Sequence, residues 1–321
     1  MGLGPRGGAP GATAELLDDG GAAATSAADF FRSREFLAAE GTTHTLRIGD
    51  GDRTALVPLI VRDVPGAELR DAISPYGYPG ASVAGDGPAP SAAHIDWGVS
   101  GLISVFGRER LVGEPWLADP AERSGVLLHD PARERRVRSR LAEQIRANRR
   151  AGWAVETIAG PRSGAGDRDG FARAYAETME RAGAAERYFF ERGYFDDVLG
   201  FERSWLLLAR REGELGAGAI AAVSDSVLHY YLGGTADAAR AASPFKNVVE
   251  AMLDLADQVG LPLNLGGGVR PGDGLQEFKR GFANAELAFR TQEVVCDPGE
   301  YARLSPASAE PGFFPAYRAS A

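Results

Sequence analysis

Leu228-His229-Tyr230-Tyr231-Leu232-Gly233-Gly234, then Ser243-Pro244, then an apolar helical pattern to Gly260, then Leu261-Pro262-Leu263-Asn264-Leu265-Gly266-Gly267-Gly268, and last Phe278-Lys279-Arg280-Gly281-Phe282. This order reads as strand, loop, helix, strand, glycine turn and basic-aromatic segment. Residues 228–232 are apolar and aromatic enough for a buried strand, which Gly233-Gly234 is expected to end. Ser243 suits an N-cap, and Pro244 suits the first helical position, where a missing N–H costs nothing. Val248, Val249, Met252, Leu255, Ala256 and Val259 recur at helical spacing, and Gly260 supplies a C-terminal stop.

The same stretch holds both lysines of the chain. Of 35 basic residues only Lys246 and Lys279 are lysine; all others are arginine. A position that stays lysine where arginine is the default can need a compact ammonium on a flexible stem and not a planar fork. For Lys246 a solvated side chain explains the residue as well. Lys279, flanked by Phe278 and Phe282, is the stronger candidate.

The sequence of Tyr230-Tyr231-Leu-Gly-Gly, Ser243-Pro244, apolar helix, Leu265-Gly-Gly-Gly and Phe278-Lys279-Arg-Gly-Phe282 resembles the Fem-type aminoacyltransferases. It is equally similar to acetyltransferase-like relatives in the broad GNAT superfamily. The match is specific over about the last 100 residues and looser before them. The resemblance implies an α/β (α+β) chain of two GNAT-like domains, each a mixed, mostly antiparallel sheet flanked by helices. It also implies transfer of an acyl group onto an amine. In the best understood members the donor is an aminoacyl-tRNA and the acceptor a cell-wall precursor peptide; others aminoacylate small natural products. The family's Phe-Lys pair lies at the aminoacyl ester, which maps to Phe278 and Lys279, with Tyr231, Lys246 and Phe282 beside them as substrate contacts.

Composition bounds the possibilities. A chain of 321 residues has room for two domains with their own cores. Apolar and charged fractions are those of a globular protein, and no apolar window is long enough for a membrane span. Arg6 is followed by no apolar stretch, so no secretory signal is expected. A lone cysteine, Cys296, cannot form an internal disulfide, which suits a reducing cytoplasm. A net charge of −9 argues against a protein that coats nucleic acid, yet leaves room for a local basic patch that grips one end of it.

Working outward, residues 1–24 are Gly- and Ala-rich and read as a disordered tail. Gly2-Leu3-Gly4-Pro5-Arg6-Gly7 matches a dinucleotide fingerprint only in letters, since no strand precedes it and Pro5 interrupts it. Residues 25–130 form the expected N-terminal domain. It begins with a helix over 26–40, followed by a hairpin around Gly49-Asp50-Gly51-Asp52. Within it Pro75-Tyr76-Gly77-Tyr78 is an exposed turn. Its tyrosines either pack on the sheet or, as the resemblance implies, line the cleft near the acceptor.

Residues 131–304 form the expected C-terminal domain, with 305–321 an irregular tail. Arg133–Arg150 carries eight arginines against Glu134 and Glu143. Val137, Leu141 and Ile145 make an apolar stripe of a helix. Arg146, Arg149 and Arg150 crowd its C-terminal end, where they complement the helix dipole. They also suit phosphates of a donor tRNA or a nucleotide-linked acceptor. After a linker over 161–170, Phe171–Arg181 reads as a helix, followed by a dense aromatic run, Tyr188-Phe189-Phe190 and Tyr194-Phe195, expected to be mostly core. The resemblance implies that Thr178, Arg181 and Tyr194 contact the acceptor.

Other chemistries are set aside. His44, His94, His129 and His229 form no i, i+4 pair and have no nearby cysteine, so no metal is expected. There is no nucleophile elbow and no P-loop. Direct attack of an amine on a bound acyl donor remains, and it needs substrates held together and an oxyanion stabilised. No tightly bound cofactor is expected. The co-substrate is aminoacyl-tRNA or, on the rival reading, acyl-CoA. Gly233-Gly234-Thr235 with a long loop to Ser243 lacks the spacing of the CoA-pyrophosphate turn, which favours the tRNA donor. A non-catalytic adaptor is a third reading, against which the Lys279 motif speaks.

Overall fold

The structure is a computed structural model that describes residues 11–49, 52–268, 272–306 and 312–319. The fingerprint-like letters at 2–7 and the tip of the 49–52 hairpin lie outside the described residues. In chain order the elements are β1 (Ala12–Leu17), α1 (Arg34–Ala39), β2 (His44–Gly49), β3 (Arg53–Asp63), β4 (Arg70–Ile73), β5 (Ser82–Gly85), β6 (Ile95–Asp96) and β7 (Leu102–Arg108). There follow β8 (Ala121–His129), α2 (Ser139–Arg150), β9 (Ala154–Ala159), α3 (Ala165–Ala182), α4 (Arg192–Gly200), β10 (Ser204–Arg211) and β11 (Glu214–Ser224). The chain ends with β12 (Val227–Thr235), α5 (Phe245–Val259), β13 (Leu263–Gly266), α6 (Gly274–Arg280), β14 (Ala285–Val295) and α7 (Pro298–Leu304). The mixed, mostly antiparallel sheets flanked by helices are the architecture that the resemblance implies.

Two compact units divide the chain differently from the linear order. The first gathers residues up to Ser26, Glu40–Arg123 and Arg290 onward. Its strands follow the order β6-β1-β2-β3-β4-β7-β14, with β5 on β3. Leu46, Val57, Leu59, Val105, Trp116 and Leu117 form its core. The expected disordered tail over 1–24 is corrected for its described part, residues 11–24: Ala12–Leu17 pairs with β2 antiparallel and begins a parallel pair with β6. Ala12 and Ala14 are small enough to bury under the sheet, and backbone pairing replaces the missing large side chains.

The second unit holds Ala27–Ala39 and Ser124–Phe289, with strand order β8-β13-β12-β11-β10-β9. Residues 26–40 are not one helix. A 3-10 turn at Phe30–Arg32 is followed by extended Ser33, whose hydroxyl accepts the N–H of Phe36 and starts α1 afresh. The buried Arg32 guanidinium donates to Asp225 in the β11–β12 turn, at 2.7 and 3.0 Å. Phe30, Phe31 and Phe36 pack around the Tyr231 ring. These contacts put the segment in the second unit.

Side chains alternate across β11 as the strand period requires. Ala217, Ala219, Ala221 and Val223 join Val248, Met252 and Ala256 of α5 in one core. Gly218, between them, lies under Phe171 of α3. The α3 helix begins at Ala165, earlier than expected, because the Asp167 carboxylate accepts the Gly164 N–H. By contrast, 133–138 stays irregular, held by the Arg138 N–H to the Gly281 carbonyl at 2.8 Å, and the basic helix starts only at Ser139.

Gly233 and Gly234 do not end β12, which runs on to Thr235. They allow close approach. A Cβ on Gly234 would sit 2.6 Å from main-chain atoms of Ala174 and Tyr175 in α3. Gly234→Ala is therefore expected to destabilise the protein by about 1–3 kcal/mol, the scale of overpacking against backbone. Urea denaturation reads it directly, and an unchanged midpoint would contradict the packing. Ser243 takes a left-handed φ of 49° and Pro244 becomes the cap, so α5 opens one residue later than expected. Gly260 closes it with φ 67° as expected.

Candidate active site

Everything that organises the candidate site lies in the second unit. The parallel strands β12 and β13 are in register only at Leu228↔Leu263 and His229↔Asn264. Beyond that point they part, β12 carrying a bulge opposite Ile220/Ala221 and β13 ending at Gly266 with φ 77°. Four aromatic rings gather there. Tyr230 lies 5.8 Å from Phe245, Phe245 lies 6.4 Å from Phe278, and Phe278 lies 5.4 Å from Phe282.

Lys279 reaches into this group from α6. Its Nζ donates to the Gly267 carbonyl at 2.8 Å and lies 5.5 Å from the centre of the Tyr230 ring. It also passes within 3.0 Å of where a Cβ on Gly266 would stand, so glycine is needed there for space as well as for φ. Burial among the rings pushes the ammonium pKa down from 10.5 to about 8, opposed by Asp273, which caps α6. One of the three ammonium donors is taken by Gly267; the others suit an external oxygen.

The structure distributes the sequence candidates over several places. Lys279 and Phe278 stand together. Phe282 is fully buried and supports Phe278, offering no surface to a ligand. Lys246 follows Phe245 in the first turn of α5, and burial together with the Arg140 guanidinium lowers its pKa. Arg149 is held by Glu250 at 2.7 Å, whereas no carboxylate among the described residues pairs with Arg140, Arg146, Arg150 or Lys246.

A second group gathers around Tyr231. Its hydroxyl is hydrogen-bonded to that of Tyr194, on whose ring Phe190 stacks at 3.9 Å. Thr178 and Arg181 are joined at the end of β12: the Thr178 hydroxyl accepts the Thr235 N–H, and Arg181 donates to Thr178, the Thr235 carbonyl and Asp237. Tyr76 and Tyr78 belong to the first unit, where the Arg108 guanidinium lies 5.8 Å from the Tyr76 ring.

Sequence reasoning passed over Tyr230, Phe245 and the Gly267 carbonyl as site groups. The first two stand beside chosen residues, so their neighbours carried the signal. A carbonyl carries none. Among the described residues no three His, Cys, Asp or Glu side chains cluster to hold a metal, and no helix is long and apolar enough to cross a membrane.

No family model matches the sequence, and no curated protein resembles it in sequence. Solved structures do resemble it in fold. FemX superposes with a TM-score of 0.54 at 12% identity, over 81% of this chain and 89% of that one. Its fold is Fem-like. The C-terminal domain of a putative lysylphosphatidylglycerol synthetase from Agrobacterium fabrum gives 0.54 at 13% identity, over 89% and 90% of the two chains. L-PGS from Bacillus licheniformis gives 0.53 at 10%, over 82% and 86%. At such identities the likeness is one of fold. In this chain β12, β13 and the α6 lysine lie in one of the two units, and the reaction is left to be argued from the side chains.

Proposed function

We propose that this protein is an amide-forming acyltransferase that moves an aminoacyl group from aminoacyl-tRNA to an amine of a cell-wall precursor or peptide-like natural product. The observation that carries the reading is the Lys279 ammonium, half-buried among Tyr230, Phe245 and Phe278 with donors to spare. The acceptor amine attacks the ester carbonyl, the carbon–oxygen bond to the ribose breaks, and the amine's proton passes to the departing ribose oxygen. Lys279 donates to the carbonyl oxygen as negative charge builds on it, in a site whose low dielectric strengthens that contact.

Two features support a tRNA donor over acyl-CoA. Pro244 has no N–H, and the first-turn N–H groups of Lys246 and Asn247 bond to Ser243 and Pro244 carbonyls, so the start of α5 is poorly furnished for a pyrophosphate. Arg140, Arg146, Arg150 and Lys246, without carboxylate partners among the described residues, suit a phosphate backbone. On this reading the Tyr194–Tyr231 pair, Thr178 and Arg181 meet the acceptor, and a tRNA donor implies a reaction in the cytoplasm.

The deciding experiment supplies the purified protein with mixed aminoacyl-tRNAs, and separately with acyl-CoAs, plus an amine acceptor mixture. Discharge of aminoacyl-tRNA into amide is the expected result. Consumption of acyl-CoA alone would replace this donor by the rival one. A second expectation concerns the basic helix. Changing Arg140, Arg146 and Arg150 to glutamine should raise KM for the tRNA about tenfold and flatten its log–log salt dependence by about 2, at roughly 0.7–0.9 per lost phosphate contact. An unaltered salt slope would remove these arginines from the interface.

A further inference from the structure

The point where β12 and β13 part is pinned by two buried polar side chains. His229 is 2% exposed and Asn264 1% exposed, and they form the last registered pair of the two strands. The Asn264 Oδ1 accepts the Gly266 N–H at 2.7 Å. That bond settles which end of the amide is oxygen, so Nδ2 faces His229 and donates to its Nδ1 at 2.9 Å. Nδ1 is then an acceptor, and the ring proton sits on Nε2, directed to the Ser224 main-chain carbonyl. The face of the imidazole is fixed in turn by Phe31, edge-on at 4.9 Å.

This series of bonds ends one residue from the Lys279 contact. Asn264 holds Gly266 at its left-handed φ, and the next carbonyl, that of Gly267, receives the ammonium. An apolar pair would fill the same space at less cost in buried polarity, but could not select one direction for the turn. We infer that Asn264 and His229 are positioning residues that set where the Lys279 ammonium sits, by fixing the Gly266–Gly267 turn whose carbonyl holds it. The inference rests on the reading of Lys279 as the oxyanion partner only for its effect on turnover. The effect on the position of the ammonium stands independently.

With two lysines in the chain, protein carrying lysine labelled with carbon-13 at Cε gives two side-chain signals, and Lys246 serves as the internal control. In the unaltered protein Lys279 titrates at about 8. In Asn264→Ala the turn is released, the ammonium rehydrates, and its titration moves toward 10.5 while that of Lys246 is unchanged. Turnover falls about tenfold with KM little altered. A folded Asn264→Ala protein whose Lys279 still titrates at about 8 overturns the inference. Should that variant fail to fold, Asn264→Asp decides. It keeps the acceptor for Gly266 but faces His229 Nδ1 with a carboxylate, so His229 is expected to hold a second proton at neutral pH, visible in its imidazole nitrogen shifts. A His229 that stays neutral there overturns the pin. If Asn264→Ala moves the Lys279 signal while Lys279→Ala retains activity, the positioning holds and the proposed role of Lys279 fails, so the two are told apart.

Discussion

Lys279→Ala lowers turnover by about 100-fold or more, the scale set by loss of one oxyanion donor from a water-poor site, and leaves the protein folded. The side chain as a whole is partly exposed and lies outside the buried core, so removing it opens no large void there. It does leave the Gly267 carbonyl without its donor, at a cost of about 1 kcal/mol. Lys279→Arg restores charge but replaces a point donor by a planar fork, and partial activity is expected. The pH profile adds a separate mark. The role requires the protonated form, whose pKa is pushed down to about 8, so turnover falls as pH rises through about 8. In Lys279→Arg this alkaline fall is absent, because guanidinium stays charged. Single-turnover rates of aminoacyl-tRNA discharge test both. Near-normal rates in Lys279→Ala would remove the residue from the mechanism.

The second large effect concerns stability of the first unit. Glu109 follows β7 and is 1% exposed. Its carboxylate accepts from Gln292 Nε2 at 2.7 Å and from the Trp116 N–H at 3.3 Å. Burial nonetheless dominates and raises its pKa from 4.5 to about 7, the hydrogen bonds and the nearby Arg290 and Arg110 offsetting only part. Between those values the unfolded chain has released a proton that the folded protein still holds. Stability conferred by the protonated group is therefore fully present below about 4.5 and is lost as pH rises to about 7. The displacement is worth about 3 kcal/mol. Glu109→Gln keeps an acceptor and carries no charge, so relative to the unaltered protein it gains about 3 kcal/mol between pH 4.5 and pH 8. Urea denaturation at the two pH values measures the difference. A constant gap between the proteins would show that Glu109 ionises normally.

Much of the second unit was legible because its signals are local. The pattern of Val248, Met252 and Ala256 and the stop at Gly260 announce α5, and lysine usage in an arginine-rich chain singled out Lys279. What sequence could not convey depends on distance along the chain. Phe30, Phe31 and Phe36 fall in a stretch that reads as a single helix, but their partner is Tyr231, far downstream. Gly233-Gly234 looks like a strand end because glycine says nothing about a helix pressing on it. Nothing in the letters Arg108-Glu109-Arg110 signals a buried carboxyl, which Trp116 and Gln292 enclose. Phe282 carries the same signal as Phe278, yet one is core and the other borders the candidate site. His229 and Asn264 were both in plain view, but a parallel register leaves no mark in composition.

Both units are assembled from separate stretches of chain, and this bears on any attempt to dissect the protein. A polypeptide begun at Ser124 would retain Lys279, its rings and the strands beneath them, yet would lack the phenylalanines that cover Tyr231 and the arginine that grips Asp225. One ended at Arg123 would lack the partner that β7 finds in Thr291–Val295. No single cut delivers either half intact, so neither half is suited to being shuffled as a cassette, and a truncated fragment that does nothing would be uninformative about the chemistry.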